Sequence, residues 1–470
     1  MIFKWHPQIA DRPGPRYLAI VDLLADAIAD GNLRSGDRLP THRALAARLG
    51  VTVTTVTRAY DEAERRGLVI AEVGRGTFVR ESAEDSVEAS LGAAPPAQAF
   101  VNMAFDRPSP AGPAAKAMTR HTAEFAATGN VALLPGDTSN AQASHREAGA
   151  EWIARRIGRA ADPARVLVAA GTQNAILLAI AAVAGSGDTM LVETLTSYGT
   201  RTAAGILGVR LAGVRTDGEG MLPEALEAAI RRRKPKAVFL TPTFHMPTTA
   251  TMSPERRSRI VEVCRRHGMP IVEEDCYGFL DDAAVPIAAL APERTVHFVS
   301  LSKSVSSALP VAYVHAPTKA VDRALAAMRA TTYSTMPLAC EIATRMIRSG
   351  DALAAANWYR DTARRRAALA GPLLETENAD MNPGALHLWL HLPERWPCDE
   401  FAEAARLQGV GVLSSRAFSL DGSPEPNAVR VCFSAPDSDA EVRAGFERLA
   451  ELLAGGGGRA DTRPKRRRRR

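Results

Sequence analysis

A 470-residue chain has room for two or more domains, and a composition 46% hydrophobic and 23% charged is that of a water-soluble globular protein rather than a disordered or fibrous one. No apolar run nears the roughly 20 residues a membrane span requires, and the opening MIFKWHPQIADRPG lacks the apolar stretch of a secretory signal. Five cysteines, odd in number and scattered without a CxxC pair, read as reduced thiols in a cytoplasm, and no metal site is expected.

The net charge of +6 is concentrated at one end. Arg459, Arg463, Lys465 and the run Arg466 to Arg470 face a single acid, Asp461, so the chain ahead of them has a slightly negative balance. Residues 454–470, a glycine-rich hinge followed by PKRRRRR, are too charged to bury and read as a disordered tail. Counterion release would give that tail non-specific affinity for nucleic acid; a solvated tail without a specific role is the equal alternative.

Residues 10–80 behave as a separate small domain. Leu18, Val21, Leu24, Ala25 and Ile28 recur near a 3.6-residue period, and Gly31 ends that helix. After the turn SGDRLP, Thr41 caps THRALAARLG. Thr52 then caps VTTVTRAYDEAERRG, in which Val56, Tyr60 and Ala63 share one face and Thr54, Thr55 and Arg58 occupy others. Two helices joined by a tight turn at a glycine form the helix-turn-helix pattern. LVIAEVGRGTFV adds a hairpin with Arg75 at its tip. Ordinary helical subdomains share this periodicity, so the pattern alone leaves DNA binding open. Residues 81–99 hold four acids, two prolines and few large apolar groups, and read as a linker.

From residue 100 short apolar strands near 166, 189, 237, 270 and 296 alternate with helix-length segments, which implies a mainly parallel sheet with crossover helices. AAGTQNAILLAI sets Gly171, Thr172 and Gln173 at a helix start behind a strand, where free N–H groups and the helix dipole favour an anion. PIVEEDCYGF ends a buried strand with Asp275 and, two residues on, Tyr277. HFVSLSKSVSSALP is a strand that breaks into a serine-rich turn carrying Lys303. Ligands of α/β sheets bind at such strand mouths, and a partly desolvated amine there can form a Schiff base with an aldehyde. A surface lysine is the plain alternative. Beyond Thr318 a long helix precedes two strands, GALHLWLHLP and NAVRVCFSAP.

The string from GDRLPTHRALAARLG to GRGTFV resembles the winged helix of GntR-type regulators, and Phe100 to Leu453 resembles a fold-type I aminotransferase. The combination is that of the MocR-type regulators. The resemblance implies a winged helix-turn-helix domain plus an α/β fold-type I PLP-dependent transferase-like domain spanning 100–453, with a mainly parallel large-domain sheet and a small C-terminal α/β subdomain. It implies that the second helix of the head enters the major groove of double-stranded DNA, with Arg43, Thr52, Thr54, Thr55, Arg58 and Arg75 as contacts. It also implies pyridoxal 5′-phosphate: Lys303 as the Schiff-base amine, Asp275 at the pyridine nitrogen, Tyr277 at the phenolic oxygen and Tyr198 stacked on the ring. Gly171, Thr172, Gln173, Ser300 and Ser302 would hold the phosphate, and Arg430 the carboxylate of an amino-acid or amine effector. A homodimer would pair two heads.

Four positions depart from the family pattern. Val53 stands where an arginine often follows the helix cap. Met246 replaces an asparagine that meets the phenolic oxygen, and methionine cannot donate that bond. Thr249 replaces a glycine of the same stretch. Pro310, seven residues after the lysine, replaces an arginine on the phosphate. Val53 leaves one base contact, and hence the operator sequence, open, whereas Met246 and Pro310 favour a sensor over a turnover enzyme. A working aminotransferase with a DNA-binding head, and a cofactor-free DNA-binding module, are the two alternatives.

Overall fold

The computed structural model describes residues 15–29, 32–33, 37–65, 68–72, 76–79, 100–109, 111–128, 140–333, 335–374, 378–420 and 426–455. The expected linker, the basic tail and the hairpin tip with Arg75 lie outside them. The chain forms two compact units, Met1–Gly92 with Arg416–Glu425 and Ala93–Ser415 with Pro426–Arg470.

In the first unit, α1 (Arg16–Ala29) and α3 (Val53–Arg65) pack together, with α2 (His42–Leu49) against α3. Ile20, Val21 and Leu24 from α1 meet Leu45, Val56, Ala59, Tyr60 and Ala63 in one buried cluster. Of the α1 stripe read from the sequence, Val21 and Leu24 are in this core and Ile28 packs against it, while Leu18 and Ala25 are only half-buried; Val56, Tyr60 and Ala63 of α3 are all buried. The Thr41 side chain accepts from Ala44 N at 3.3 Å to start α2, and Gly50 closes it in the left-handed region at φ 62°. Thr52 repeats the device, its Oγ1 accepting from Thr55 N at 3.2 Å. Strands β1 (Val69–Glu72) and β2 (Gly76–Val79) pair antiparallel, Val69 opposite Val79, which makes the wing. Tyr60 pins the turn before α2 by donating to the Pro40 carbonyl at 2.8 Å.

The second unit is built on seven strands. In chain order they are β3 (Val166–Ala169), β4 (Thr189–Glu193), β5 (Arg210–Val214), β6 (Ala237–Leu240), β7 (Ile271–Glu274), β8 (Thr295–Ser300) and β9 (Ala312–His315). They lie side by side as β3-β9-β8-β7-β6-β4-β5. Pairs from β8 to β5 are parallel, and β9 alone runs antiparallel to both its neighbours. Every residue of β3, β6, β7, β8 and β9 is buried, as expected for strands covered on both faces. The sequence reading omitted β5, an edge strand that is only partly buried, and β9, whose four residues follow the lysine turn without a helix-length gap.

Helices α4 (Ala143–Ile157), α5 (Gly171–Val183) and α6 (Tyr198–Ile206) position the residues used below. A second, four-stranded antiparallel sheet contains β10 (His387–His391) paired with β11 (Ala428–Cys432), and its core includes Leu388, Val431, Phe433 and Phe446. The segment at Val101–Met103 joins this smaller lobe. Val101 N donates to the Gly409 carbonyl at 2.8 Å, and Cys432 N to the Met103 carbonyl at 2.8 Å. Among the described residues no helix is long and apolar enough to cross a membrane, and no cluster of metal-ligating side chains occurs.

The Thr41 cap gives a direct test. Thr41→Ala should cost about 1 kcal/mol of local stability, seen as faster amide exchange in α2, with the strands of the second unit unchanged.

Candidate cofactor site and DNA-contact residues

Side chains of a strand alternate between its faces, and at the end of β7 this separates three adjacent carboxylates. Glu273 turns one way and accepts from Ile287 N and Ala288 N at 2.8 and 2.7 Å. Asp275 follows the same face. Its oxygens take Arg156 Nε at 2.9 Å and Nη2 at 3.1 Å, and His297 Nε2 lies 3.0 Å from Oδ2. Arg156 arrives from α4, and Gly278 makes room for the pair, since a Cβ there would overlap both partners. Burial acts to raise the Asp275 pKa, but Arg156 and His297 outweigh it and hold the carboxyl well below its usual range.

Glu274 turns to the opposite face. Its Oε2 is buried without a hydrogen-bond partner. Its pKa is pushed up to about 7 by burial; Lys303 opposes the rise and Asp106 adds to it. Asp275, expected to meet a pyridine nitrogen, is bound to Arg156 and His297, and Glu274 is the neighbouring carboxyl that senses the Lys303 charge. Asp275 already has its charge matched by Arg156 and His297, whereas Glu274 does not.

Lys303 sits in the short helix Leu301–Ser304 at the end of β8. Its Nζ donates to the carbonyl and to Oδ2 of Asp106, both at 2.8 Å, and the Tyr277 hydroxyl donates to the same Oδ2. Burial favours a neutral amine, yet Asp106 reverses this and raises the lysine pKa. Asp106 itself, despite its burial, is drawn down to about 2 by Lys303 and Arg430. The sequence reading missed Asp106, which comes from FDRPSP, far from any strand of the main sheet. It also missed His387, a buried ring on β10 set edge-on to Tyr277 at 6.4 Å, whose pKa burial and Arg430 press down to about 3.

Gly171, Thr172, Ser300 and Ser302, the residues expected to hold an anion, lie together. Gly171 opens α5 at φ 82°, and a Cβ there would lie 3.5 Å from both Ser302 Oγ and Pro310 Cβ. The Thr172 hydroxyl donates to Ser300 Oγ at 2.9 Å. Gln173 lays its amide over Gly199, next to Tyr198, which is half-buried at the start of α6. Pro310 thus stands beside the cradle where the family arginine was expected. Arg430, buried on β11, donates Nη2 to the Ala104 carbonyl and sets Nη1 2.7 Å from Met246 Sδ.

In the head, Arg43 on α2 and Thr52, Thr54 and Arg58 at and along α3 are exposed, and Thr55 is half-buried. The Thr52 and Thr55 hydroxyls lie 2.8 Å apart, so both also serve the cap. Arg58 rests its guanidinium 4.7 Å above the Tyr17 ring. Val53, the departure noted above, is 44% exposed on the first turn of α3.

Glu274 and Asp275 should respond to pH in opposite ways. A carboxyl whose folded pKa is raised keeps its proton longer in the folded state, so its contribution falls as pH rises from about 4.3, the unfolded value, to about 7. Glu274→Gln should flatten that part of the thermal-stability curve, with Glu193, also pushed up to about 7, leaving a residual slope. Asp275→Asn should instead cost about 3–5 kcal/mol at neutral pH by stranding Arg156. A Glu274→Gln curve that overlays wild type would refute the assignment.

Residues 108–449 match the family model for aminotransferase class I and II, and residues 16–79 the model for bacterial regulatory proteins of the gntR family. The HTH-type transcriptional regulator YdeF of Bacillus subtilis (strain 168) is 29% identical over 96% of this chain and 97% of its own. The HTH-type transcriptional regulator TauR of Rhodobacter capsulatus is 28% identical over 92% and 95%. Among solved structures, an archaeal alanine:glyoxylate aminotransferase superposes with a TM-score of 0.71 at 22% identity, covering 80% of this chain and 96% of that one. LysN, the α-aminoadipate aminotransferase of Thermus thermophilus, gives 0.67 at 23%, covering 78% and 94%. The body thus has the fold-type I architecture expected from the sequence, and the order of the two matched segments is the MocR-type one. The chain belongs to the aminotransferase class I and II family and carries a gntR-family winged-helix segment at its amino-terminal end.

Proposed function

We propose that this protein is a transcription regulator that binds double-stranded operator DNA through its head and senses an amine-containing small molecule in its aminotransferase-like body. One observation carries the reading. Lys303, Tyr277 and the partnerless Glu274 oxygen converge at the mouths of parallel strands, in a chain whose head exposes Arg43, Thr54 and Arg58. Two relatives that match more than nine-tenths of the chain are named as transcriptional regulators, which supports the same reading.

The family implies pyridoxal 5′-phosphate as cofactor, and the donor set fits it. Lys303 offers the amine, and Glu274 a carboxyl for the ring nitrogen. Tyr277 offers a hydroxyl for the phenolic oxygen, and Tyr198 a ring beside the cradle. The first-turn N–H groups of α5 with Thr172, Gln173, Ser300 and Ser302 suit a phosphate. Bound there, the cofactor supplies an aldehyde that joins amines covalently and a ring that withdraws electrons. The chain's own part is to hold the anion, to keep a proton on Glu274 and to change the partners of Lys303 and Arg430 when an amine enters. Unequal affinity of that amine for two arrangements of the protein then shifts DNA binding. A homodimer in the bacterial cytoplasm, presenting two heads to repeated half-sites, completes the proposal.

A working aminotransferase is the rival. Pro310 beside Gly171, and Met246 against Arg430, weigh against it, because each removes a polar group from the site. A steady-state assay with amino acid and 2-oxo acid separates the two; sustained turnover would favour the rival.

Lys303→Ala should abolish the absorbance at about 420 nm that wild type gains with the cofactor; wild type lacking that band would overturn the sensor reading. Pro310→Arg should tighten cofactor binding about ten- to a hundredfold, the worth of one charged hydrogen bond, in an equilibrium titration. Arg43→Ala and Arg58→Ala should each weaken operator binding and reduce the salt dependence by about one phosphate contact if the arginine meets the backbone; loss of discrimination between sequences would instead mark a base contact.

A further inference from the structure

In a helix-turn-helix the start of the second helix meets the base edges, and in this head that stretch is made of threonine and valine alone: residues 52–57 read TVTTVT. Val56 is buried in the core of the head. Val53 is 44% exposed in the first turn of α3, the one large apolar side chain left exposed among the described residues of the head. Most of the threonine hydroxyls are engaged with the helix itself. Thr52 Oγ1 accepts from Thr55 N at 3.2 Å and lies 2.8 Å from Thr55 Oγ1, and the Thr57 hydroxyl donates to the Val53 carbonyl at 3.1 Å. The first charged residue of α3, Arg58, comes more than a turn after Val53 and holds its guanidinium 4.7 Å above the Tyr17 ring. The opening of α3 therefore presents carbon where readers of guanine or adenine present a guanidinium or an amide.

We propose that Val53 reads a thymine: the head selects half-sites with a T·A pair facing the first turn of α3 and recognises it by the C5-methyl group. This inference rests on the reading of the head as a binder of double-stranded DNA. Of the four base edges in the major groove, only thymine's carries a methyl group. Guanine shows two acceptors there, adenine an acceptor and a donor, and cytosine a donor. An isopropyl group pressed onto any of these takes water from a polar atom and returns no hydrogen bond. Against thymine the same contact removes apolar surface from water on both sides. No side chain from Thr52 to Thr57 can make the two-bond contact that fixes guanine or adenine, because that takes Arg, Lys, Asn or Gln. Discrimination at this position comes from the methyl contact and from the bases that it rejects.

The test uses full-length protein and a pool of randomised double-stranded DNA, from which bound duplexes are selected and sequenced. In the selected half-site each thymine is then replaced in turn by deoxyuridine, which removes only the methyl group, and affinity is measured at one salt concentration. At one or two positions wild type should lose about 3- to 5-fold, the worth of one buried methyl group. Val53→Ser should bind the thymine and deoxyuridine duplexes equally at such a position, and Val53→Arg should turn the selected base there to guanine. Val53 is exposed, so neither change disturbs the core, and the wild-type measurement stands without any variant. A selected half-site without thymine, affinity indifferent to every deoxyuridine, or a methyl preference that Val53→Ser leaves unchanged overturns the proposal. A pool from which wild type enriches no sequence is a different failure, because it removes the DNA-binding reading of the head and this inference with it.

Discussion

The pairing of Lys303 with Asp106 is the contact on which the geometry of the site depends. The lysine belongs to the end of a central strand of the large sheet. The aspartate belongs to a segment whose backbone is hydrogen-bonded into the smaller lobe. The distance between amine and carboxylate is therefore set by how the two lobes of one unit pack. A change in that packing moves the reactive amine relative to Tyr277, Arg430 and the α5 cradle together. Packed lobes tend to have discrete arrangements rather than a continuum, which is what the proposed effector response requires.

Buried carboxylates are costly unless matched, and this unit matches most of its own. Glu273 takes two backbone N–H groups, Asp275 takes Arg156 and His297, Asp106 takes Lys303 and Tyr277, and Glu193 takes Thr241 N. Glu274 is different, because one of its oxygens has no partner. Burial raises its pKa to about 7, as burial also raises those of Glu193 and Glu273. The partnerless oxygen is what distinguishes Glu274 from its neighbours, and a buried acid left so is a poor way to stabilise a fold.

Much of the architecture was legible because it rests on local chemistry. The caps at Thr41 and Thr52 and the stripe of Val56, Tyr60 and Ala63 follow from short-range rules, and the structure uses each as expected. The parallel strands announced themselves as apolar runs spaced by helices. Less legible were choices made by distant partners. Strand β9 is only four residues long, and it gains its identity by fitting between β3 and β8. Glu274 and Asp275 are chemically alike and adjacent, and only the positions of Arg156, 119 residues before Asp275, and of His297 separate their roles.

By itself the sequence determined the two-part organisation, the helix-turn-helix pattern, the alternation of strands and helices, and the lysine at a strand mouth, because periodicity, capping and turn chemistry act over a few residues. Tertiary structure decided that Asp106 meets that lysine, that Asp275 is taken up by Arg156 and His297, and that one Glu274 oxygen is left without a partner. Those outcomes depend on electrostatic and steric partners that lie far apart in the chain and are brought together only when the lobes pack.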